Sequence, residues 1–323
     1  MNLSKSQELE WRAGGILTNE GTFFSSGTRR FATLLGGLLL ATVVIAPTVE
    51  AQETPRPGQQ VALVTGSTGG LGREVASRLG AMGYFVIVHG RNRERGMEVV
   101  QAIRSEGVGN ARFYQADLGS FDQVRAFGEA VLRDYDRLDV LVNNAGFGRA
   151  PDERMVSKDG HELRFQVNHL SHFLLTRMFL PLIVENAPSR IVNVSSGAQQ
   201  PIDFDDVMIE NNFSGGRAYA QSKLAQILFT IDLAEELEGT GVIVNALHPA
   251  TYMDTAMVRR AGLTPRATVG EGAEAVLQLV TSTDIGSGGY FNGLRPSRAN
   301  DQAYDVDARA QLRRVSEELT GAR

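Results

Sequence analysis

Tyr219 and Lys223 stand four residues apart in the apolar run RAYAQSKLAQILFTIDLAEEL, a spacing that puts a phenol and an ammonium on one face of a helix turn. A phenol holds its proton tightly near neutral pH, and a fixed positive charge close by stabilises the phenolate and lowers that cost. The pair can therefore serve as a general acid and base. The spacing alone decides little, because any amphipathic helix can carry an exposed Lys beside a half-buried Tyr. Its meaning depends on what the rest of the chain places around it.

The run QQVALVTG leads into Thr65-Gly66-Ser67-Thr68-Gly69-Gly70-Leu71-Gly72 and then into the helical pattern REVASRLGAMG. In this strand, turn and helix context glycines permit a tight turn, let backbone N–H groups approach a pyrophosphate and let helix pack on strand. The helix N-terminus adds a partial positive charge facing the phosphates. Gly66, Ser67, Thr68, Gly70, Leu71 and Gly72 are the expected contacts to a dinucleotide. The next strand, YFVIVHG, ends at Gly90-Arg91-Asn92-Arg93 without an Asp or Glu to hold the adenosine ribose hydroxyls. Arg91, supported by Arg93 or Arg95, can pair instead with a 2′-phosphate, so NADP(H) is expected over NAD(H). Asp117 and Leu118 end the strand ARFYQADL, where the carboxylate either accepts from an adenine amino group or caps the following helix. Asn144, Ala145 and Gly146 follow the strand LDVLVN, and small residues there leave room for an adenine ring.

With Thr-Gly-x-x-x-Gly-x-Gly, Asn-Asn-Ala-Gly and Tyr-x-x-x-Lys in this order, the chain resembles the short-chain dehydrogenase/reductase family from about Gln59 to about Tyr290. The stretches SKDGHELRFQVNHLSHFLLT and RIVNVSSGA are similar to its retinol-dehydrogenase and protochlorophyllide-reductase-like branch. The resemblance implies hydride transfer between a nicotinamide and a carbonyl or alcohol, with a small lipophilic substrate. It implies further that Tyr219 carries the proton, that Lys223 binds the nicotinamide ribose and depresses the Tyr219 pKa, and that Ser196 holds the substrate oxygen. Ser195 is the alternative serine, since side-chain direction alternates along an extended chain. Asn168, in FQVNHLSH, matches the family asparagine that bends its helix and holds a water linking Lys223 to solvent. One departure stands out: the usual Pro-Gly after VIVNALH becomes Pro249-Ala250. Pro249 and Thr251 remain expected cofactor contacts, but glycine's freedom near the carboxamide is lost. The irregular stretch TYMDTAMVRRAGLTPRATV reads as a substrate lid that shapes specificity together with residues 203–216.

Alternating apolar strands and amphipathic helices from Gln59 onward predict one α/β domain over 59–323, a Rossmann-type doubly wound parallel sheet of about seven strands covered on both faces. Strands are expected near 60–65, 84–89, 110–116, 138–143, 190–195, 241–247 and 289–292. The helices AYAQSKLAQILFTIDLAEEL and HLSHFLLTRMFLPLIV are apolar on more than one side, which predicts a homodimer or homotetramer. Residues 1–58 differ in kind: Arg29-Arg30 precede an apolar run of about seventeen residues, FATLLGGLLLATVVIAP, and Val49-Glu50-Ala51 offers a cleavage site. A signal peptide, with a twin-arginine character, or a retained membrane anchor is expected, with a cytoplasmic enzyme from a later start as the alternative.

The net charge of −5 belongs to the body, because residues 1–51 hold four basic and four acidic side chains. An acidic body without a basic stripe argues against nucleic acid. The chain has no Cys, which excludes disulfides and thiol catalysis. His161, His169 and His172 lack carboxylate or Cys partners at metal-ligand spacing, and no metal is expected. Two other readings were weighed against catalysis on a small carbonyl or alcohol. A silent dinucleotide-binding redox sensor or scaffold would ordinarily lack the Tyr or Lys, and a sugar-nucleotide epimerase would carry a longer C-terminal part.

Overall fold

The computed structural model describes residues 54–322. The signal or anchor expected in the N-terminal segment therefore falls, up to residue 53, outside the described residues.

Eight strands form one sheet in the order β3-β2-β1-β4-β5-β6-β7-β8: β1 (Val61–Val64), β2 (Phe85–Gly90), β3 (Asn110–Gln115), β4 (Val140–Asn143), β5 (Ser189–Val194), β6 (Val242–His248), β7 (Tyr290–Asn292) and β8 (Arg295–Ser297). All neighbours run parallel except β7 and β8, which pair antiparallel. The seven expected strands are present. The eighth is a three-residue hairpin return through Pro296, fully exposed, with no apolar alternation to announce it. A proline without an N–H suits such an edge.

Side-chain alternation divides the strands between two cores. Val61, Leu63, Phe85, Ile87, Leu141, Ile191 and Val244 face one core, while Ala62, Val64, Val86, Val88, Val140, Val142 and Val192 face the other. The second core is covered by α1 (Gly70–Ala81), α2 (Arg93–Ser105) and α8 (Val269–Thr281), the first by α3 (Phe121–Asp134), α5 (Ser171–Glu185), α6 (Gly215–Glu236) and α9 (Val306–Thr320). Two short helices, α4 (Leu163–Phe165) and α7 (Ala256–Arg260), sit in the connections. Among the described residues one helical stretch, Leu163–Glu185, is long and apolar enough to cross a membrane, and it is a core helix through Phe165, Phe173 and Phe179.

Helix ends are fixed locally. Asn92 accepts from the Arg95 N–H at 2.9 Å, Ser214 accepts from Arg217, and Thr268 with Glu271 forms a reciprocal capping box. The start of α1 differs: its N-cap is Gly69, with no side chain capping it. That helix begins at the point where strand order reverses, between β1 and β4, so its uncapped N–H groups face the crevice at the strand ends.

The apolar breadth of α6 has an internal explanation. Residues 220–234 of α6 are all buried, and α9 packs along the helix with Ala308 and Leu312. Arg309 donates to both oxygens of Glu235 at 2.7 and 2.9 Å, Arg313 pairs with Asp232, and the Ser316 hydroxyl lies 2.8 Å from His169 Nε2. The C-terminal helix thus covers part of the apolar α6 surface from within the chain. Truncating this cover at Leu312→Ala is expected to cost about 2–5 kcal/mol, read as a lowered urea midpoint. An unchanged midpoint would mean that α9 does not hold α6.

Candidate active site

At the C-terminal ends of β1, β4, β5 and β6 lies a cavity of about 900 Å³. Its floor is the glycine loop. Gly66 has a left-handed backbone (φ 66°), and a Cβ there would lie 2.8 Å from the Ala145 Cα, so side chains are excluded by both conformation and space. A Cβ on Gly72 would lie 2.4 Å from Asn144 Nδ2 and 2.5 Å from the Gly66 carbonyl. The loop and the 144–146 segment are locked together: the Thr65 hydroxyl accepts the N–H groups of Asn144 and Ala145, both at 2.9 Å, and Asn144 Nδ2 donates to the Thr65 carbonyl at 2.8 Å.

Gly66, Thr68, Gly70, Leu71, Gly72, Arg91, Asp117, Leu118, Asn144, Ala145, Gly146, Pro249 and Thr251 all line the cavity. Ser67 does not. It is fully buried, its hydroxyl donates to the Val64 carbonyl at 2.8 Å and accepts from the His89 N–H at 3.0 Å, so it shapes the loop from behind. Asp117 accepts from the Gly119 N–H at 3.0 Å, and the N-cap of α3 is Ser120, so the capping alternative for Asp117 does not hold. At the end of β2 a Cβ on Gly90 would lie 2.5 Å from Thr68 Cγ2, so an acidic side chain there would require the Thr68 side chain to shift. Arg91 is exposed at the rim beside it, whereas Arg93 and Arg95 do not line the cavity.

The opposite end holds Tyr219, Lys223 and Ser196. Lys223 is 4% exposed, and its ammonium donates to the Val194 carbonyl and to Gln226 Oε1, both at 2.8 Å. Burial pushes its pKa down to about 7. The Tyr219 ring is half-buried, with its centroid 5.8 Å from Lys223 Nζ. Burial raises the Tyr219 pKa, and a hydrogen bond with Ser196 opposes the rise. Both ammonium contacts go to neutral carbonyl oxygens, and the charge itself is suppressed by burial. Ser196 also accepts from the Ala198 N–H at 3.1 Å, while Ser195 points away and donates to the Lys223 carbonyl at 2.6 Å.

Asn168 sits in a π-helical turn, Gln166–Leu170, between α4 and α5. Its side chain does not line the cavity. Its Oδ1 accepts from the Phe147 N–H at 2.7 Å, and its Nδ2 donates to the Phe147 carbonyl and to Ser222 Oγ at 3.1 and 2.8 Å. Alanine at 250 requires none of glycine's freedom, because the left-handed residue of this loop is Tyr252 (φ 51°). The lid segment contributes Tyr252, Met253, Met257 and Leu263 to the cavity wall, and of residues 203–216 only Gly216 reaches it.

A strand, glycine loop and uncapped helix on one side, with Tyr, Lys and Ser converging on the other, fit a nicotinamide dinucleotide. A family model described as short chain dehydrogenase matches residues 60–265. The chain belongs to the short-chain dehydrogenase family. Retinol dehydrogenase 14 of Homo sapiens is 37% identical over 289 residues, covering 80% of this chain and 85% of that protein. Retinol dehydrogenase 13 of Mus musculus is 34% identical over 310 residues, covering 90% and 92%. This dehydrogenase thus falls in the retinol-dehydrogenase-like branch and is an oxidoreductase acting on alcohol or carbonyl groups. A solved metagenomic short-chain oxidoreductase in complex with NADP shares 29% identity at a TM-score of 0.56, covering 71% of this chain and 93% of that one. Salutaridine reductase from Papaver somniferum, 23% identical, shares the fold at a TM-score of 0.59 over 72% of this chain and 99% of that one.

Sequence reasoning missed His89. Its Nδ1 accepts from the Gly66 N–H at 3.1 Å and its ring stacks on Phe127 at 4.7 Å, so it braces the glycine loop of the dehydrogenase. Burial holds its pKa near 4, which keeps the ring neutral and the acceptor bare. No motif marks it; only the inward register at the end of β2 does. A depressed Lys223 has a measurable consequence. Between about pH 7 and its unfolded value of 10.5 the unfolded chain binds a proton that the ligand-free fold does not, so stability rises with pH in that window. Relative to Lys223→Met, the wild-type chain is expected to gain at most about 5 kcal/mol across it. Urea midpoints of both chains at each pH supply the check, and a flat difference contradicts a buried, depressed ammonium.

Proposed function

We propose that this dehydrogenase is an NADP(H)-dependent enzyme that interconverts a carbonyl and an alcohol, with Tyr219 as general acid and base. The observation that carries the reading is that Tyr219, Lys223 and Ser196 line the same cavity as the glycine loop. Bound NADP(H) supplies or accepts the hydride. Ser196 and the Tyr219 hydroxyl receive the substrate oxygen between them. In reduction Tyr219 donates its phenolic proton to that oxygen, and the raised pKa means that the resting phenol already carries the proton. In oxidation the proton returns by the same path. Lys223 is placed to hold the nicotinamide ribose hydroxyls, and each anion brought near it favours its charged form. Asn168 acts from behind by fixing the backbone of Phe147.

The absent acid at Gly90 and the exposed guanidinium of Arg91 favour a 2′-phosphate, hence NADP(H) over NAD(H). Phe147, Val156, Met253, Met257 and Leu263 give the substrate end an apolar wall, which supports a small lipophilic carbonyl or alcohol. Residues 59–323 form the catalytic domain. Residues 1–58 serve as a signal or membrane anchor on the strength of their sequence, and N-terminal sequencing of the fractionated protein distinguishes the two.

Tyr219→Phe is expected to lower kcat at least about a hundredfold against a panel of aldehydes, ketones and alcohols, while NADPH binding persists. Unchanged turnover would remove Tyr219 from the chemistry. Arg91→Ala is expected to raise KM for NADPH about tenfold or more and leave KM for NADH nearly constant; equal effects on both cofactors would refute the 2′-phosphate assignment.

A further inference from the structure

His172 is buried on the first turn of α5 and was set apart in the sequence only as one of three histidines without metal-ligand spacing. Its hydrogen bonds identify its tautomer. The Thr65 hydroxyl already accepts two backbone N–H groups, from Asn144 and Ala145 at 2.9 Å each, which occupies both of its lone pairs. Its single proton then goes to the acceptor at 2.9 Å, His172 Nε2, in preference to the Val142 carbonyl at 3.4 Å. With Nε2 bare, the ring proton resides on Nδ1, which lies 2.9 Å from the Asn168 carbonyl and donates to it. The imidazole is therefore a neutral strut with one donor and one acceptor, both used.

The two ends of that strut belong to different halves of the site. Thr65 closes β1 and pins the glycine loop to the 144–146 segment, the cofactor floor. Asn168 is the residue of the π-helical turn, and its amide continues to Phe147 and to Ser222 Oγ, which in turn donates to the Tyr219 carbonyl at 2.8 Å. One chain of hydrogen bonds thus runs from the N–H groups of Asn144 and Ala145 through Thr65, His172, Asn168 and Ser222 to the backbone of Tyr219.

We infer that His172 is a positioning residue that sets the register between the dinucleotide floor and the Tyr219 turn, with its Nε2 arm serving cofactor binding and its Nδ1 arm serving turnover. The inference rests on the dehydrogenase reading of the same site. His172→Leu removes both arms. His172→Asn keeps an amide N–H close to the position of Nδ1, and His172→Gln offers an acceptor close to the position of Nε2. The measurements are the NADPH dissociation constant by fluorescence titration, kcat and KM on a carbonyl substrate reduced by the wild-type chain, and the thermal midpoint.

His172→Leu is expected to lower kcat roughly ten- to a hundredfold, the scale of a small misplacement of reacting groups, and to weaken NADPH binding. His172→Asn is expected to hold kcat closer to wild type while losing NADPH affinity, and His172→Gln to do the reverse. Should His172→Leu not fold, the contrast between the Asn and Gln variants decides the matter alone. The inference is overturned if Leu stays within twofold of wild type in both quantities, or if Asn and Gln lose kcat and NADPH affinity in the same proportion, as a purely structural histidine would. A wild-type chain that binds NADH but not NADPH overturns the cofactor choice alone, and the same contrast is then read with NADH; one that binds neither overturns the reading of the site and this inference with it.

Discussion

The burial of one ammonium sets the terms for the rest of the site. Lys223 is 4% exposed, and its two contacts are a backbone carbonyl and the Gln226 amide oxygen. Such an environment penalises the charged form, which is why the pKa falls to about 7. Tyr219, one helical turn away, is moved upward by the same burial. The opposite shifts have one origin and one consequence: at rest the proton sits on the phenol and the amine holds its own only weakly. An anionic ligand in the cavity changes that balance, because it favours the charge that the protein alone disfavours. Under the proposed function, catalysis and cofactor binding would therefore be linked through a single side chain.

Keeping that ammonium buried demands a rigid surround, and polar side chains bonded from one element to the next build it, with Asn143 Oδ1 and Gln226 Nε2 left without a partner. Asn143 donates to Asn193 Oδ1 and Thr176 Oγ1, and Asn193 donates to Thr230 Oγ1, which ties β4 and β5 to α5 and α6 beneath the site. On the lid side the fully buried Arg164 pairs with Glu162 at 3.0 Å and donates to the carbonyls of Gly148, Arg149 and Pro151. One guanidinium thereby holds the segment that follows Gly146. Its donors are matched by carbonyls as well as by a carboxylate, a condition under which a buried ion pair specifies a conformation rather than merely contributing stability.

What the sequence made legible was whatever local chemistry dictates. The glycine loop, the strand alternation and the Tyr219–Lys223 turn each follow from a few adjacent residues, and the structure has all of them. Between the two serines the resemblance pointed to Ser196, and in the structure it is the Ser195 hydroxyl that turns back to the Lys223 carbonyl. Long-range coverage was not legible: α6 is apolar on several sides because α9 packs on it from some eighty residues downstream, and a helix pattern is silent on whether its cover comes from the same chain or another. The inward roles of Ser67 and His89 depend likewise on register between β1 and β2, which no single segment specifies. Burial is equally invisible to spacing: the Tyr219–Lys223 turn is read from four residues, but the lowered Lys223 pKa comes from the packing around it.

Cofactor choice illustrates how space can act where charge is usually invoked. The end of β2 lacks an acid, and composition alone would credit the neighbouring arginine with the discrimination. The packing adds a steric reason that operates even without Arg91. Thr68 fills the volume that a side chain at 90 would need, and Thr68 is held by a loop whose Gly66 N–H is bound to His89 Nδ1 and whose Ser67 is bonded to the β2 backbone. Placing an acid at 90 would require the Thr68 side chain to turn away from β2. Under the proposed function, Arg91 then acts at a strand end where the glycine leaves that Thr68 side chain its place.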